Sequence, residues 1–218
     1  MNELPLLPFK PEAIIFDLDG TLLDTETLYS DAYQAVIEPY GHHFSLEFKR
    51  RIMGGNSKQS AELTVDEYDL PMTPEEFLAH KQKRLEQLFP TAAEITGAGP
   101  YLEHISSQGI TLGLATSSDS RHFEMKTAQR KWRSLFKQVV CGDDPELMKG
   151  KPAPDIFLLC AARLGIRTKS IIAFEDSRNG ILAAKAAGMT VVAINSPYIS
   201  NSDLQSADII IENFVKLM

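Results

Sequence analysis

The alternation of apolar and polar positions divides the chain into three stretches. A short apolar run, Ala13–Asp17, has the length and β-branched content of a buried strand and ends in an acid. After Gly20 the apolar positions keep helical spacing up to residue 95, and no segment there has a clear strand pattern. Thr73 followed by Pro74 is typical of the start of a helix. The predicted helices of this stretch are Thr25–Tyr40, Leu46–Ile52, Ser57–Asp69 and Thr73–Phe89.

From Gly97 onward, strand patterns alternate with helix patterns, which favours a parallel sheet covered by helices on both faces. The predicted strands are Thr111–Ala115, Val139–Cys141, Ile171–Phe174, Val191–Ile194 and Asp208–Ile211. The predicted helices are Pro100–Gln108, Arg121–Arg130, Pro154–Leu164 and Asn179–Ala187. Because the first strand has no partner before residue 111, we expect an α/β fold with a Rossmann-like, doubly wound parallel sheet. Residues 1–25 and 96–218 would form this core, interrupted by an all-helical domain at 26–95.

Composition narrows the class of protein. The 218 residues are 44% apolar and 23% charged, which is ordinary for a globular protein. The formal charge of −7 argues against nucleic acid and membrane surfaces as partners. No apolar run is long enough to span a membrane, and the first residues do not resemble a secretory signal. Cys141 and Cys160 show no metal-binding or redox spacing, so we expect a cytoplasmic protein with reduced cysteines. We also expect a monomer.

Candidate chemistry falls where the predicted strands end. Ligands of open α/β sheets bind at the carboxyl ends of the strands, so groups in these positions should meet at one edge. Those groups are Asp17-Leu18-Asp19-Gly20-Thr21, Thr116-Ser117-Ser118, Gly150-Lys151-Pro152 and Glu175-Asp176.

Such a concentration of acids predicts a bound cation. Two unit charges 4 Å apart repel by about 4 kcal/mol at an effective dielectric constant near 20. Asp17, Glu175 and Asp176 would therefore need more positive charge than Lys151 supplies, above all when a phosphate is bound. Carboxylate and carbonyl oxygens suit Mg²⁺, which also binds phosphate. The sequence therefore predicts a Mg²⁺ cofactor.

The spacing of the acids suggests a division of roles. Asp17 and Asp19 are two residues apart, so at an extended strand end their side chains would point the same way. Asp17 could then attack phosphorus as a nucleophile, while Asp19 moves protons to the leaving alcohol and from water. Thr116, Ser117 and Lys151 would bind the phosphoryl oxygens.

Each segment also has a purely structural interpretation. Asp19-Gly20 is a common turn, and Ser177 after Glu175-Asp176 would cap a helix. Other ligand sites are excluded by the pattern. Asp17-x-Asp19 does not continue as a calcium loop, and Pro152 after Gly150-Lys151 does not fit a nucleotide P-loop. The four segments in this order favour a functional site.

The same segments resemble the haloacid dehalogenase superfamily of phosphatases. FDLDGTLLDT is similar to the first motif of that superfamily, ATSS to the second, GKPAPD to the third and FEDS to the fourth, over Ala13–Ile194. The resemblance implies Mg²⁺ held by Asp17, by the backbone carbonyl of Asp19 and by Asp176, with Glu175 close by. It also implies that the helical insertion is a mobile cap and that turnover proceeds through an aspartyl-phosphate.

Within the superfamily, several alternatives remain. Asp19 argues against dehalogenation, since dehalogenases replace this acid. Tyr29 lies near the position of a cap histidine in sugar-phosphate mutases of the beta-phosphoglucomutase type, which favours hydrolysis over mutase activity. LPMTPEEF and CGDDPELMKGKPAPDIF resemble phosphatases of pseudouridine 5′-phosphate, glycerol phosphate and riboflavin phosphate, although the cap segment Met53–Lys58 matches them only in part. Outside enzymes, a phospho-aspartate signalling domain or a non-catalytic binding protein would use similar residues.

Overall fold

The computed structural model describes residues 7–52 and 57–218, which form two compact units. One unit consists of the segments up to Asp24 and from Ala93 to Met218, and the other of Thr25–Ala92. The first unit contains a six-stranded, all-parallel sheet with the order β5-β4-β1-β6-β7-β8, and a short antiparallel pair, β2 and β3. The strands are β1 (Ala13–Phe16), β2 (Leu23–Asp24), β3 (Ala93–Glu94), β4 (Thr111–Ala115), β5 (Phe136–Val140), β6 (Ile171–Glu175), β7 (Thr190–Ile194) and β8 (Ile209–Ile211).

The central strands are apolar because helices cover both faces of the sheet. All of β1 and β6 is buried, and β1 lies between β4 and β6 in parallel register. Phe16, the last residue of β1, pairs with Leu114 and Phe174. The residues that follow these three positions therefore leave the sheet at the same edge, and this edge is the rim at which the predicted site residues lie.

Each unit has its own helices. Those of the helical unit are α1 (Glu26–Ile37), α2 (Leu46–Ile52), α3 (Ser57–Glu67) and α4 (Pro74–Leu88). Those of the α/β unit are α5 (Ala98–Ser107), α6 (Ser120–Thr127), α7 (Asp155–Leu164), α8 (Arg178–Ala186) and α9 (Asn201–Leu204). None of the helices within the described ranges is long and apolar enough to cross a membrane.

The helical unit packs around an aromatic core. Tyr33 stacks on Phe44 with the ring centroids 4.7 Å apart, and Phe48 and Phe77 complete the cluster. The predicted start of α4 is confirmed: the Thr73 hydroxyl accepts the backbone N–H of Glu76, whose carboxylate accepts the backbone N–H of Thr73. Met53–Asn56, most of the cap segment singled out in the sequence, lies outside the described residues.

The structure differs from the sequence-based expectation in several places, one of which is the short helix α9, absent from the prediction. β2 and β3 are absent from the prediction, and their pairing places residues 93–95 with the α/β unit rather than with the helical stretch. β5 begins three residues earlier than predicted, because it is an edge strand with partly exposed positions. α6 ends at Thr127, and Trp132 lies in a following 3₁₀ turn, buried, with its indole N–H donating to Glu94 Oε1 at 2.8 Å.

Candidate active site

Asp17 follows β1 directly and is almost fully buried. Its backbone N–H still donates to the Phe174 carbonyl at 2.9 Å, so the residue continues the ladder of the sheet. One carboxylate oxygen, Oδ1, accepts the Lys151 ammonium at 2.5 Å. Burial raises the pKa of Asp17 to about 7, with Glu175 and Asp19 adding to the rise and Lys151 opposing it. Without a further positive charge nearby, the ionised form of Asp17 is therefore disfavoured.

Glu175 is the last residue of β6 and its side chain is fully buried. Its Oε1 accepts the Lys151 ammonium at 2.5 Å, and its Oε2 accepts the backbone N–H groups of Asp176 and Ser177 and the Ser177 hydroxyl. Ser177 caps α8 through the backbone N–H of Gly180, as the sequence predicts. A Cβ at position 180 would lie 1.7 Å from Glu175 Oε1, so only glycine leaves room for this carboxylate.

Three carboxylates at this rim are arranged so that a single cation could bind to all of them. Oxygens of Asp17, Glu175 and Asp176 lie within 4.8 Å of one another. Asp176 accepts a hydrogen bond from the Thr21 hydroxyl at 3.2 Å, and a Cβ at Gly20, whose φ is +82°, would lie 1.9 Å from Asp176 Oδ2. A set of hard, negatively charged oxygens fits a hard divalent cation. The Asp19 carbonyl stays a predicted ligand.

Lys151 lies on the loop between β5 and α7 and reaches into the rim as a buried cation. Its ammonium also donates to the Ala115 carbonyl at 3.1 Å and lies 5.0 Å from the centroid of the Phe157 ring. Burial lowers the pKa of Lys151, but the charges of Asp17 and Glu175 outweigh this effect and raise it above its ordinary value. Lys151 is therefore a fixed positive charge between two carboxylates.

The Asp19 side chain contacts a residue that the sequence analysis missed, Lys126 on α6. The Lys126 ammonium lies 2.6 Å from Asp19 Oδ1, and the Ser118 hydroxyl donates to Asp19 Oδ2 at 2.7 Å. Thr116 donates to the same oxygen at a longer 3.4 Å. Ser117, predicted to bind phosphate, is exposed, and it is the neighbouring Ser118 that bonds to the acid.

The structure thus brings together all four predicted segments and adds one cation. With all four carboxylates ionised (Asp17, Asp19, Glu175 and Asp176), the two lysines leave an excess of two negative charges, which a divalent cation would neutralise. We therefore expect an anion to bind at this site together with a cation. A buried carboxylate, a second carboxylate two residues on and a fixed ammonium are groups with which phosphoryl transfer through an aspartyl-phosphate could be carried out.

Comparison with known proteins agrees with this chemistry. A family model of the haloacid dehalogenase-like hydrolases matches residues 14–194. The chain is 42% identical to a "Probable pseudouridine-5'-phosphatase" of Drosophila melanogaster over 197 residues, 88% of this chain and 85% of the relative. It is 36% identical to "(DL)-glycerol-3-phosphatase 2" of Arabidopsis thaliana over 208 residues, 93% of this chain and 87% of the relative.

Solved structures also resemble this chain in fold. A crystal structure of a "putative beta-phosphoglucomutase" from Thermotoga maritima superposes with a TM-score of 0.82 at 31% identity, covering 94% of this chain and 96% of that one. The six-stranded parallel sheet, the four rim segments and these relatives lead to one conclusion. The chain belongs to the haloacid dehalogenase-like hydrolase family.

Proposed function

We propose that this protein is a Mg²⁺-dependent phosphatase that hydrolyses monoesters of small phosphorylated metabolites. The observation that carries the proposal is that buried Asp17 contacts the Lys151 ammonium and has a carboxylate oxygen within 4.8 Å of oxygens of Glu175 and Asp176. The relatives named as phosphatases support hydrolysis as the reaction class. The free, buried cysteines Cys141 and Cys160 support a cytoplasmic location.

Asp17 is the proposed nucleophile. Lys151 holds its Oδ1, which leaves Oδ2 to attack phosphorus. The bond from phosphorus to the alcohol oxygen breaks as the bond to Asp17 forms, which gives an aspartyl-phosphate. When bound at Asp17, Glu175 and Asp176, Mg²⁺ would supply the positive charge that stabilises the phosphoryl oxygens.

Asp19 is the proposed acid and base. It enters the first step protonated and gives this proton to the departing alcohol oxygen. In the second step it takes a proton from the water that attacks the aspartyl-phosphate, which releases phosphate and restores both aspartates. Thr116 is placed to bind a phosphoryl oxygen beside Lys151, since its hydroxyl lies at the same strand end.

The substrate class is inferred from the relatives, which are named for pseudouridine 5′-phosphate and glycerol 3-phosphate. Both are monophosphates of a small polyhydroxylated molecule, and we infer a sugar or polyol monophosphate for this chain. We also infer that the helical unit, which has an aromatic core of its own, is the mobile cap that the family resemblance implies.

A phosphate-release screen tests the proposal. Nucleoside, sugar and polyol monophosphates are each incubated with the protein and Mg²⁺, with EDTA as the control. We expect phosphate release that EDTA abolishes and that Asp17→Asn lowers by roughly 10⁴-fold or more without loss of the folded state. Release that persists in EDTA would contradict the metal requirement, and comparable release by the variant would contradict the nucleophile.

The same screen separates hydrolysis from mutase activity, which the name of the structural neighbour makes the second candidate. With a hexose 1-phosphate as substrate, a hydrolase releases phosphate, whereas a mutase forms an isomer and releases none. Product analysis by phosphorus NMR distinguishes the two outcomes in a single sample.

A further inference from the structure

The rim contains a second buried lysine to which the proposed mechanism assigns no role. Lys126 lies in the last turn of α6, and its side chain is completely buried. With Phe123 and Thr127 it forms the buried face of that helix, at the spacing of three and four residues that normally belongs to apolar side chains. A lysine is almost never fully buried unless it is paired.

Lys126 and Ser118 together hold both oxygens of Asp19. The Lys126 ammonium donates to Asp19 Oδ1 at 2.6 Å and to the Ser118 hydroxyl oxygen at 2.8 Å. The same Ser118 hydroxyl donates its own proton to Asp19 Oδ2 at 2.7 Å. The three side chains therefore form a closed ring of hydrogen bonds, all three of which are charge-assisted.

Stability alone gives a weak reason for a lysine at this position. Removing an ammonium from water costs several kcal/mol, and hydrophobic side chains of similar volume often replace buried ion pairs at no loss of stability. About a fifth of the Asp19 side chain remains exposed, so water could solvate that carboxylate without Lys126. A methionine at position 126 would lose the contacts with Asp19 and Ser118.

We propose that Lys126 is a positioning residue for Asp19, an inference that rests on the proposed phosphatase function. By holding Oδ1, Lys126 fixes the plane of the carboxylate and leaves Oδ2 to exchange a proton with the leaving alcohol and the attacking water. The partners of Oδ2, Ser118 and Thr116, are hydroxyls that can rotate away from it. Lys126 itself is not required to touch the substrate.

A double-mutant cycle tests this role. Lys126→Met, Asp19→Asn and the double variant are compared with the wild type on an alkyl phosphate and an aryl phosphate, with Mg²⁺ present. The aryl leaving group needs little protonation, so the first step, followed as a burst of released aryl alcohol, stays measurable in the Asp19→Asn variant. We expect Lys126→Met to lower kcat on the alkyl phosphate by roughly 10- to 100-fold with KM nearly unchanged. In the Asp19→Asn background the same change should have almost no further effect.

The matched control is Lys131→Met, at an exposed lysine just after α6, which should leave kcat and KM unchanged. Wild-type kcat in Lys126→Met would overturn the proposal. An equal loss in the presence and absence of the Asp19 carboxylate would also overturn it, because a purely structural lysine acts independently of that group. If the wild type itself releases no phosphate, the proposed function fails, and the next measurement still tests the contact.

A spectroscopic measurement on metal-free protein is independent of activity. Buried, hydrogen-bonded ammonium protons exchange slowly, so Lys126 should give a resolved nitrogen–proton correlation in a lysine-labelled sample. We expect Ser118→Ala and Asp19→Asn to shift this signal and Lys131→Met to leave it in place. A Lys126 ammonium that exchanges as fast as surface lysines, or is unmoved by Asp19→Asn, would overturn the inference even where Lys126→Met fails to fold.

Discussion

Two lysines of this protein are equally buried in different units, yet the charges around them differ. Lys151 at the rim of the α/β unit and Lys49 on α2 of the helical unit each expose 6% of their side chain. Lys49 donates to the Glu26 carbonyl at 2.7 Å and to the Ser30 hydroxyl at 2.9 Å, and lies 3.0 Å from the Glu26 carboxylate. Glu26 and Ser30 both lie on α1.

Lys151, in contrast, lies 2.5 Å from two carboxylates, those of Asp17 and Glu175, with Asp176 beside them. One positive charge cannot neutralise three negative ones, so we expect the rim to bind a further cation. Lys49 is paired with the Glu26 carboxylate, a contact of one positive and one negative charge. Burial of a lysine therefore does not distinguish a functional site from a helix contact, whereas an excess of opposite charge around it does.

The largest expected effect comes from Lys151→Met. It removes the cation that contacts both buried carboxylates, and one transition-state donor of this kind contributes about 10²- to 10³-fold to kcat. We also expect a loss of about 3–5 kcal/mol in the free energy of unfolding without metal, because buried charge is left uncompensated. Steady-state kinetics and urea unfolding measure the two effects. A variant with full turnover would show that the lysine at the rim is as structural as Lys49.

Lys49→Met is the counterpart in the helical unit. The Glu26 carboxylate, about a quarter exposed, would lose its cation but could still be solvated, so we expect a loss of about 1–3 kcal/mol in the free energy of unfolding. Because the predicted cation site belongs to the other unit, Mg²⁺ should raise the melting temperature of this variant as much as that of the wild type. A Mg²⁺ effect that disappears in Lys49→Met would contradict the distinction between the two lysines.

The excess charge at the rim also predicts how metal binding depends on pH. Burial raises the pKa of Asp17 to about 7 in the metal-free protein, and Mg²⁺ binds the ionised carboxylate. Binding should therefore displace a proton below that pH, and affinity should fall by about tenfold per pH unit as the pH decreases. Calorimetry in two buffers of different protonation enthalpy measures the proton release. Asp17→Asn, which lacks the titrating carboxyl, is the control. A wild-type affinity for Mg²⁺ that does not change below pH 7 would contradict the assignment of this pH dependence to Asp17.

The sequence predicts the parts of this fold that depend on long patterns. The buried strands β1, β4, β6 and β7 are mostly apolar, so they and the α/β class are recognisable without coordinates. The pair β2 and β3 has two residues per strand, which is too short for any periodicity. The edge strand β5 begins with Phe-Lys-Gln, whose polar positions suit partial exposure but weaken the strand signal.

The site was predictable to the extent that its residues follow strands. Asp17, Glu175 and Thr116 are adjacent to apolar runs, and the parallel topology alone brings them to one edge. Lys126 could not be found in this way, because a lysine in a helix is assigned to the solvent face by default. The available signal is its spacing from Phe123 and Thr127, which places it on the buried face of α6.

The smallest expected effect on stability comes from Arg163, a partly exposed cation of the α/β unit. From α7 it donates to both oxygens of Asp144 and to Glu146, at the beginning of the loop that carries Lys151. The hydrogen bond from Arg163 holds the pKa of Asp144 below its ordinary value, so this pair stabilises the folded state above about pH 4 and ceases to do so as the pH falls through the lowered pKa. An exposed pair of this kind contributes about 1 kcal/mol, so Arg163→Met should lower the melting temperature by about 2–4 °C at neutral pH and by less at pH 3. If the melting temperature differs from that of the wild type by the same amount at both pH values, Arg163 stabilises the loop by packing. If Arg163→Met lowers the melting temperature more than Lys49→Met does, the ranking of the buried and the partly exposed cation is reversed.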